Sequence, residues 1–127
     1  MRVLIVDDIL INRRLCSMIL EKRGHSVQTA ENGIRAIELL EKEDFDLVLM
    51  DLQMPVMDGF EAMRIIRSRS SGVRRRDIPV IAVTAVRADR AERQCYEAGM
   101  NGFIAKPLQR EEFLKIVERY APGKSNA

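Results

Sequence analysis

Three aspartates sit where apolar runs end. Asp7 and Asp8 close the run Val3-Leu4-Ile5-Val6, and Asp51 closes Leu47-Val48-Leu49-Met50. If both runs are buried strands, their carboxyl ends bring three carboxylates together. Carboxylates crowded in this way repel one another and resist ionising unless a cation sits among them, and hard oxygen donors suit magnesium. A carboxylate beside such a cation can also attack a phosphoryl group, because the metal neutralises charge on nucleophile and phosphate alike. Lys106, at the end of the short apolar segment Phe103-Ile104-Ala105, offers the remaining positive charge.

The elements that must position these groups follow from periodicity. Short apolar runs alternate with amphipathic stretches, and strands are expected over 2–6, 26–30, 46–50, 80–84 and 102–105. The first, third and fourth are nearly continuous Val, Ile and Leu, as strands covered by helices on both faces of a parallel sheet require. Between them runs helical spacing: Ile11, Leu15, Met18 and Ile19 form one stripe, Phe60, Met63 and Ile66 another, and Phe113, Ile116, Val117 and Tyr120 a third. Gly24 and Gly99 read as helix stops, Asn32-Gly33 as a helix start, and Asp58-Gly59 as a loop and cap. Five strands alternating with five helices imply an α/β fold with one five-stranded parallel sheet, doubly wound. In that architecture ligands gather at the carboxyl ends of strands, where Asp7, Asp8, Asp51, Thr84 and Lys106 all fall.

Composition bounds the rest. The 127 residues make one domain, and 46% hydrophobic with 31% charged residues is an ordinary globular balance. A net charge of +2 with no aromatic residues between the basic ones gives no reason to expect direct nucleic-acid binding. The first apolar run is too short for export or membrane spanning, so a cytoplasmic protein with no membrane contact of its own is expected. Cys16 and Cys95 lack CxxC spacing and read as reduced packing residues. His25 reads as a solvated turn residue, so any phosphoryl donor must be another molecule. The arginine run in Ser70–Asp77 reads as a solvated loop, since no second basic segment is placed to complete a groove. Residues 1–121 form the expected domain and 122–127 a disordered tail or linker remnant.

Val-Asp-Asp at 6–8, the block Asp51-Leu52-Gln53-Met54-Pro55-Val56-Met57-Asp58-Gly59, Thr84-Ala85 and Lys106-Pro107 together resemble the receiver domain of two-component response regulators. The resemblance runs from residue 2 to about residue 120. It implies a flavodoxin-like fold and a phosphoacceptor signalling domain in place of a conventional enzyme. Position by position, it implies Asp51 as the phosphoacceptor, Asp8 as a direct magnesium ligand, Asp7 as its acidic neighbour, and the Gln53 backbone carbonyl as a further ligand. It implies Lys106 as the partner of a phosphoryl oxygen, Thr84 as the hydroxyl that moves toward the phosphoryl group, and Ala85 as the small residue whose backbone N–H binds it. Phe103 falls at the aromatic switch position, without the hydroxyl many relatives carry. Pro107 matches a proline preceded by an unusual peptide bond that aims the lysine.

Rival readings are weighed on the same residues. An aspartate after a strand is often only a cap or turn former, and Met54, Met57 and Met63 read as core filler, not as soft metal ligands. A Rossmann domain needs a glycine-rich turn where Asp7-Asp8-Ile9-Leu10 stands. A haloacid dehalogenase-like phosphatase needs Asp-x-Asp after the first strand, and here the aspartates are adjacent. A pseudo-receiver would have lost part of the set that is intact here. The first helix and the Asp51 block look most like receivers of hybrid sensor histidine kinases. That likeness implies a sensor histidine kinase as donor, relay to a histidine phosphotransfer domain, and a monomer or phosphorylation-dependent dimer. Output is expected on the face over residues 87–120, with Ala88, Ala91, Cys95 and Ala98 as the buried stripe of its first helix. The resemblance also implies that Gln53 and Val86 flank the path of attacking water, and neither carries an acid or base to activate it.

Overall fold

A computed structural model describes residues 1–85 and 88–122, excluding the side chains of 88–90. Strands and helices alternate without interruption: β1 (Arg2–Val6), α1 (Leu10–Lys22), β2 (Ser26–Ala30), α2 (Gly33–Lys42), β3 (Leu47–Met50), α3 (Gly59–Arg67), β4 (Val80–Thr84), α4 (Ala88–Glu97), β5 (Gly102–Ala105) and α5 (Arg110–Glu118). All strands pair in parallel, in the order β2-β1-β3-β4-β5. The expected fold is borne out, and the strand boundaries differ from the sequence reading only at Asp46.

The sheet separates two cores, because successive side chains of a strand point to opposite faces. Leu4, Val6, Val48, Met50, Val80 and Ala82 pack under α2, α3 and α4. Val3, Ile5, Leu47, Leu49, Ile81 and Val83 pack under α1 and α5. Phe113, Leu20, Met63 and Ile66 are fully buried on the helical side, and each such side chain stabilises the fold by about 1.5–3 kcal/mol relative to exposure. Caps and stops are where the sequence placed them. The side chains of Asn32 and Asp58 accept hydrogen bonds from the backbone N–H groups of Arg35 and Glu61, and Gly24 and Gly99 take positive φ of 87° and 97° at helix ends.

Two sequence expectations fail. The α1 stripe holds only at Ile19: Ile11, Leu15 and Met18 are exposed, and the helix buries Cys16 and Leu20 beside Ile19. Apolar residues surround this helix on two sides, and periodicity cannot say which side meets the sheet. His25 is not a solvated residue either. Its ring, with the side chain only 10% exposed, lies 2.9 Å from Glu118 at the end of α5, and Arg23 pairs with the same carboxylate at 2.7 Å. Ala91 and Cys95 are buried under α4 as expected, while the Ala88 side chain lies outside the described residues. Of the tail, 123–127 also lie outside them. Both cysteines are free and buried. Burial pushes each thiol up to about 11, which leaves neither a nucleophile at neutral pH. No helix among the described residues is long and apolar enough to cross a membrane.

Candidate functional site

β1 and β3 lie side by side in register, Val6 opposite Met50, so the residues that follow them meet at one edge of the sheet. The Asp51 backbone N–H donates to the Val6 carbonyl (2.9 Å) and the Asp7 N–H to the Ala30 carbonyl (3.1 Å), which fixes both backbones as they leave the sheet. Asp7, Asp8 and Asp51 then each offer a carboxylate oxygen, and these oxygens lie within 4.8 Å of one another. Asp7 and Asp51 are buried and Asp8 is exposed. An arrangement of hard oxygens with one open member fits a divalent cation such as magnesium, which keeps several waters when it binds a protein.

Lys106 arrives from β5. Its backbone N–H donates to the Thr84 carbonyl (2.9 Å), and its Nζ reaches Asp7 Oδ2 at 3.0 Å and Asp51 Oδ2 at 3.3 Å. The Lys106–Pro107 bond is cis, as the resemblance implied. The remaining oxygens are also held: Asp7 Oδ1 accepts from the Ile9 N–H (2.9 Å) and Asp51 Oδ1 from the Gln53 N–H (3.1 Å). Burial raises the Asp51 carboxyl above its ordinary value, an effect the Gln53 N–H and Lys106 only partly offset. Burial alone would depress Lys106, but the hydrogen bond to Asp7 and the charges of Asp51 and Asp7 outweigh it and leave the ammonium more basic than usual. The ion pair therefore favours the charged lysine more than it relieves the buried Asp51.

Thr84 ends β4 almost fully buried, and Ala85 after it is exposed at the rim. Strand alternation puts Thr84 on the same sheet face as Ala82, which pairs with Phe103 in β5. Phe103 is partly buried against the α2–α3–α4 core. The structure thus brings together Asp7, Asp8, Asp51 and Lys106, sets Thr84 and Ala85 on the next strand, and puts Phe103 on the shared face beyond. Gln53 meets Asp51 through its N–H. Val86 lies outside the described residues.

Sequence reasoning missed one support and read another only as a loop former. Arg13, one turn into α1, donates from Nη1 to the Asp7 carbonyl (2.8 Å) and so braces the turn that carries the paired aspartates. An arginine seven residues after a strand has no distinguishing signal. The second is Gly59: a Cβ there would stand 2.6 Å from the Asp51 carbonyl oxygen and 3.0 Å from Leu52 Cα. Its N–H donates to the Leu52 carbonyl (3.1 Å), closing the loop that follows Asp51. Backbone cannot yield as a side chain can, so Gly59→Ala is expected to cost about 1–3 kcal/mol by overpacking and to displace Asp51. Chemical denaturation would measure it. A loss below a few tenths of a kcal/mol would mean that the loop is not held as described.

Residues 3–118 match the response regulator receiver domain family. The chain belongs to that family. This receiver is 36% identical over 137 residues to Histidine kinase 3 of Arabidopsis thaliana, an alignment covering 94% of the chain and 13% of that kinase. It superposes with a TM-score of 0.82 on the receiver domain of a sensor histidine kinase from Pseudomonas aeruginosa, at 37% identity and covering 94% of this chain and 95% of that one. That structure has a magnesium ion coordinated in its active site cleft. The chemotaxis protein CheY4 of Vibrio cholerae superposes at 0.84 with 31% identity over 94% of this chain and 98% of its own. The receiver spans 13% of the length of these curated kinases that it matches.

Proposed function

We propose that this receiver takes a phosphoryl group onto Asp51 from a phosphohistidine of a sensor histidine kinase. The observation that carries the reading is the Asp51 carboxylate itself: buried, oriented by the Gln53 N–H and Lys106 on its two oxygens, and within reach of two further carboxylates. Asp8, Asp7, Asp51 and the Gln53 carbonyl would hold magnesium. Bound there, the ion neutralises negative charge on carboxylates and phosphoryl oxygens.

An Asp51 oxygen attacks phosphorus as the bond to the imidazole nitrogen breaks, and the nitrogen keeps the bonding pair and takes a proton from solvent. Lys106 pairs with a phosphoryl oxygen, while the Thr84 hydroxyl and Ala85 N–H donate to the others. Nothing in the Gln53 side chain can activate water, so the acyl phosphate persists. Thr84 moving toward the phosphoryl group opens space for Phe103 and shifts the 87–120 face between two packings, or the group passes on to a histidine phosphotransfer domain. The exposed apolar side of α1, with Ile11 73% and Met18 54% exposed beside Arg13 and Arg14, supports docking of a protein donor at this edge of the sheet. The kinases it is similar to support the relay.

Incubation with magnesium and acetyl phosphate should add one phosphoryl group by intact mass, mapping to Asp51 and absent from Asp51→Asn. Labelling that survives in Asp51→Asn would overturn the assignment. The labelled protein should lose its phosphoryl group to a histidine phosphotransfer protein faster than to water; equal rates with a whole panel of such proteins would remove the relay and leave the switch.

A further inference from the structure

The opposite edge of the sheet carries a second concentration of charge. Residues 64–77 hold six arginines and one aspartate, +5 on a chain whose total is +2, so the remainder is net negative. The sequence reading treated Arg74-Arg75-Arg76 as a solvated loop because nothing seemed to complete a groove. The fold completes it. Arg67, at the last turn of α3, joins Arg74, Arg75 and Arg76 around an open cavity of about 720 Å³, with Asp77, Gly99 and Asn101 as the other walls.

Arg67 is half-buried and spends its guanidinium on neutral acceptors: the Gly99 carbonyl (3.0 Å from Nη2), the Asn101 Oδ1 (3.1 Å) and the Arg76 carbonyl. It forms no ion pair among the described residues, so a partly desolvated positive charge lies in the cavity wall with Asp77 acting on it only at a distance. Burial, and the nearby charge of Arg75, lower its pKa, with Asp77 opposing. Arg76 also has no ion pair among the described residues. Arg74 and Arg75 face Asp44 at 2.9 Å and Asp77 at 3.2 Å, in exposed pairs that are weak and exchangeable.

We infer that this cavity binds a polyphosphate group, gripped by Arg74, Arg75 and Arg76 with the positive charge of Arg67 beside them. Asp44 and Asp77 compete with any anion for these arginines, and a ligand with three or more negative charges competes better than a singly charged one. Guanidinium forks match phosphate oxygens, and the volume suits a small ligand, being larger than one phosphate needs. No aromatic side chain lines the cavity, so no base is stacked and the phosphate chain is what is read. Because Arg67 grips Gly99 and Asn101, which lead into β5 and Phe103, occupancy would brace the turn between α4 and β5.

The test is a titration of inorganic triphosphate into the wild-type protein without magnesium and with chelator, followed by amide chemical shifts. Saturable shifts should appear at Arg67, 74–76 and 99–102 and leave Asp7, Asp8, Asp51 and Thr84 unmoved. Shifts centred on the Lys106 edge would overturn the site. Arg75→Glu/Arg76→Glu should weaken binding at least tenfold while acetyl phosphate still labels the receiver, whereas Asp44→Asn should tighten binding. Unchanged affinity in both variants overturns the inference, and Asp44→Asn decides alone if the double variant fails to fold. ATP and GTP should compete equally with triphosphate. Vesicles bearing phosphorylated inositol lipids, tested beside free nucleotide, distinguish a headgroup from a soluble source. Orthophosphate binding as tightly as triphosphate, or a DNA duplex binding more tightly with shifts spread beyond the cavity, would sink the assignment.

Discussion

Replacing Lys106 by methionine should slow phosphorylation of Asp51 by about 100- to 1000-fold, the usual loss when one preorganised donor to a developing negative charge is removed. The side-chain volume is nearly kept and the charge is lost. In the wild type the ammonium sits 3.0 Å from Asp7 and 3.3 Å from Asp51. Without it the buried Asp51 loses one of the two groups that oppose the effect of burial, and the phosphoryl oxygens lose their positive partner. Magnesium binding should survive, because none of the expected ligands is touched. Timed intact-mass measurements with acetyl phosphate and saturating magnesium would give the rate, and circular dichroism would confirm the fold. Labelling at the wild-type rate would mean that Lys106 only ties strands together. Lys106→Arg should recover part of the rate, since a planar fork keeps the charge without fitting the point position of the ammonium.

The legibility of this site follows from how it is built. Each of Asp7, Asp8, Asp51, Thr84 and Lys106 stands at or just beyond the end of a strand, and in a parallel sheet every strand ends at the same edge. Knowing that the apolar runs were strands was therefore enough to know that these residues meet. The caps at Asn32 and Asp58 and the positive-φ glycines Gly24 and Gly99 were legible for a different reason, since each is a local solution with few competing residue types.

What failed depended on tertiary choice. In α1 the apolar residues Ile11, Leu15 and Met18 match a helical stripe as well as Cys16, Ile19 and Leu20 do, and only the direction of approach to the sheet decides between them. His25 looked like a turn residue because Glu118, its partner, lies 93 residues away. Val56 gave no warning either. It takes φ of 70°, with the Met57 N–H donating to the Pro55 carbonyl at 2.8 Å in a three-residue turn, a conformation β-branched residues rarely adopt. The arginine cavity was hidden for the same reason as His25: Gly99 and Asn101, which complete it, are distant in sequence.

Magnesium at about 100 times its dissociation constant should stabilise the wild-type receiver by about 2.7 kcal/mol, a rise in melting temperature of roughly 10 °C for a chain of this size. The size of that gain should depend on pH, and Asp51 sets the sign. Its folded pKa lies above the ordinary 3.8. Below 3.8 the carboxyl is protonated in both folded and unfolded chains and costs nothing. As pH rises through that value the unfolded chain ionises first, so the metal-free fold loses stability across the interval up to the raised folded pKa and does not regain it above. Lys106 is charged throughout this range and adds no slope. Asp51→Asn should therefore melt at a higher temperature than wild type at pH 7 without magnesium, at the same temperature well below pH 3.8, and gain less from the ion. Calorimetry is the suitable readout, because the chain has no tryptophan. If Asp51→Asn is less stable than wild type at pH 7 in chelator, the buried carboxylate is not the strained group. If magnesium shifts neither protein, the three acids do not form a metal site.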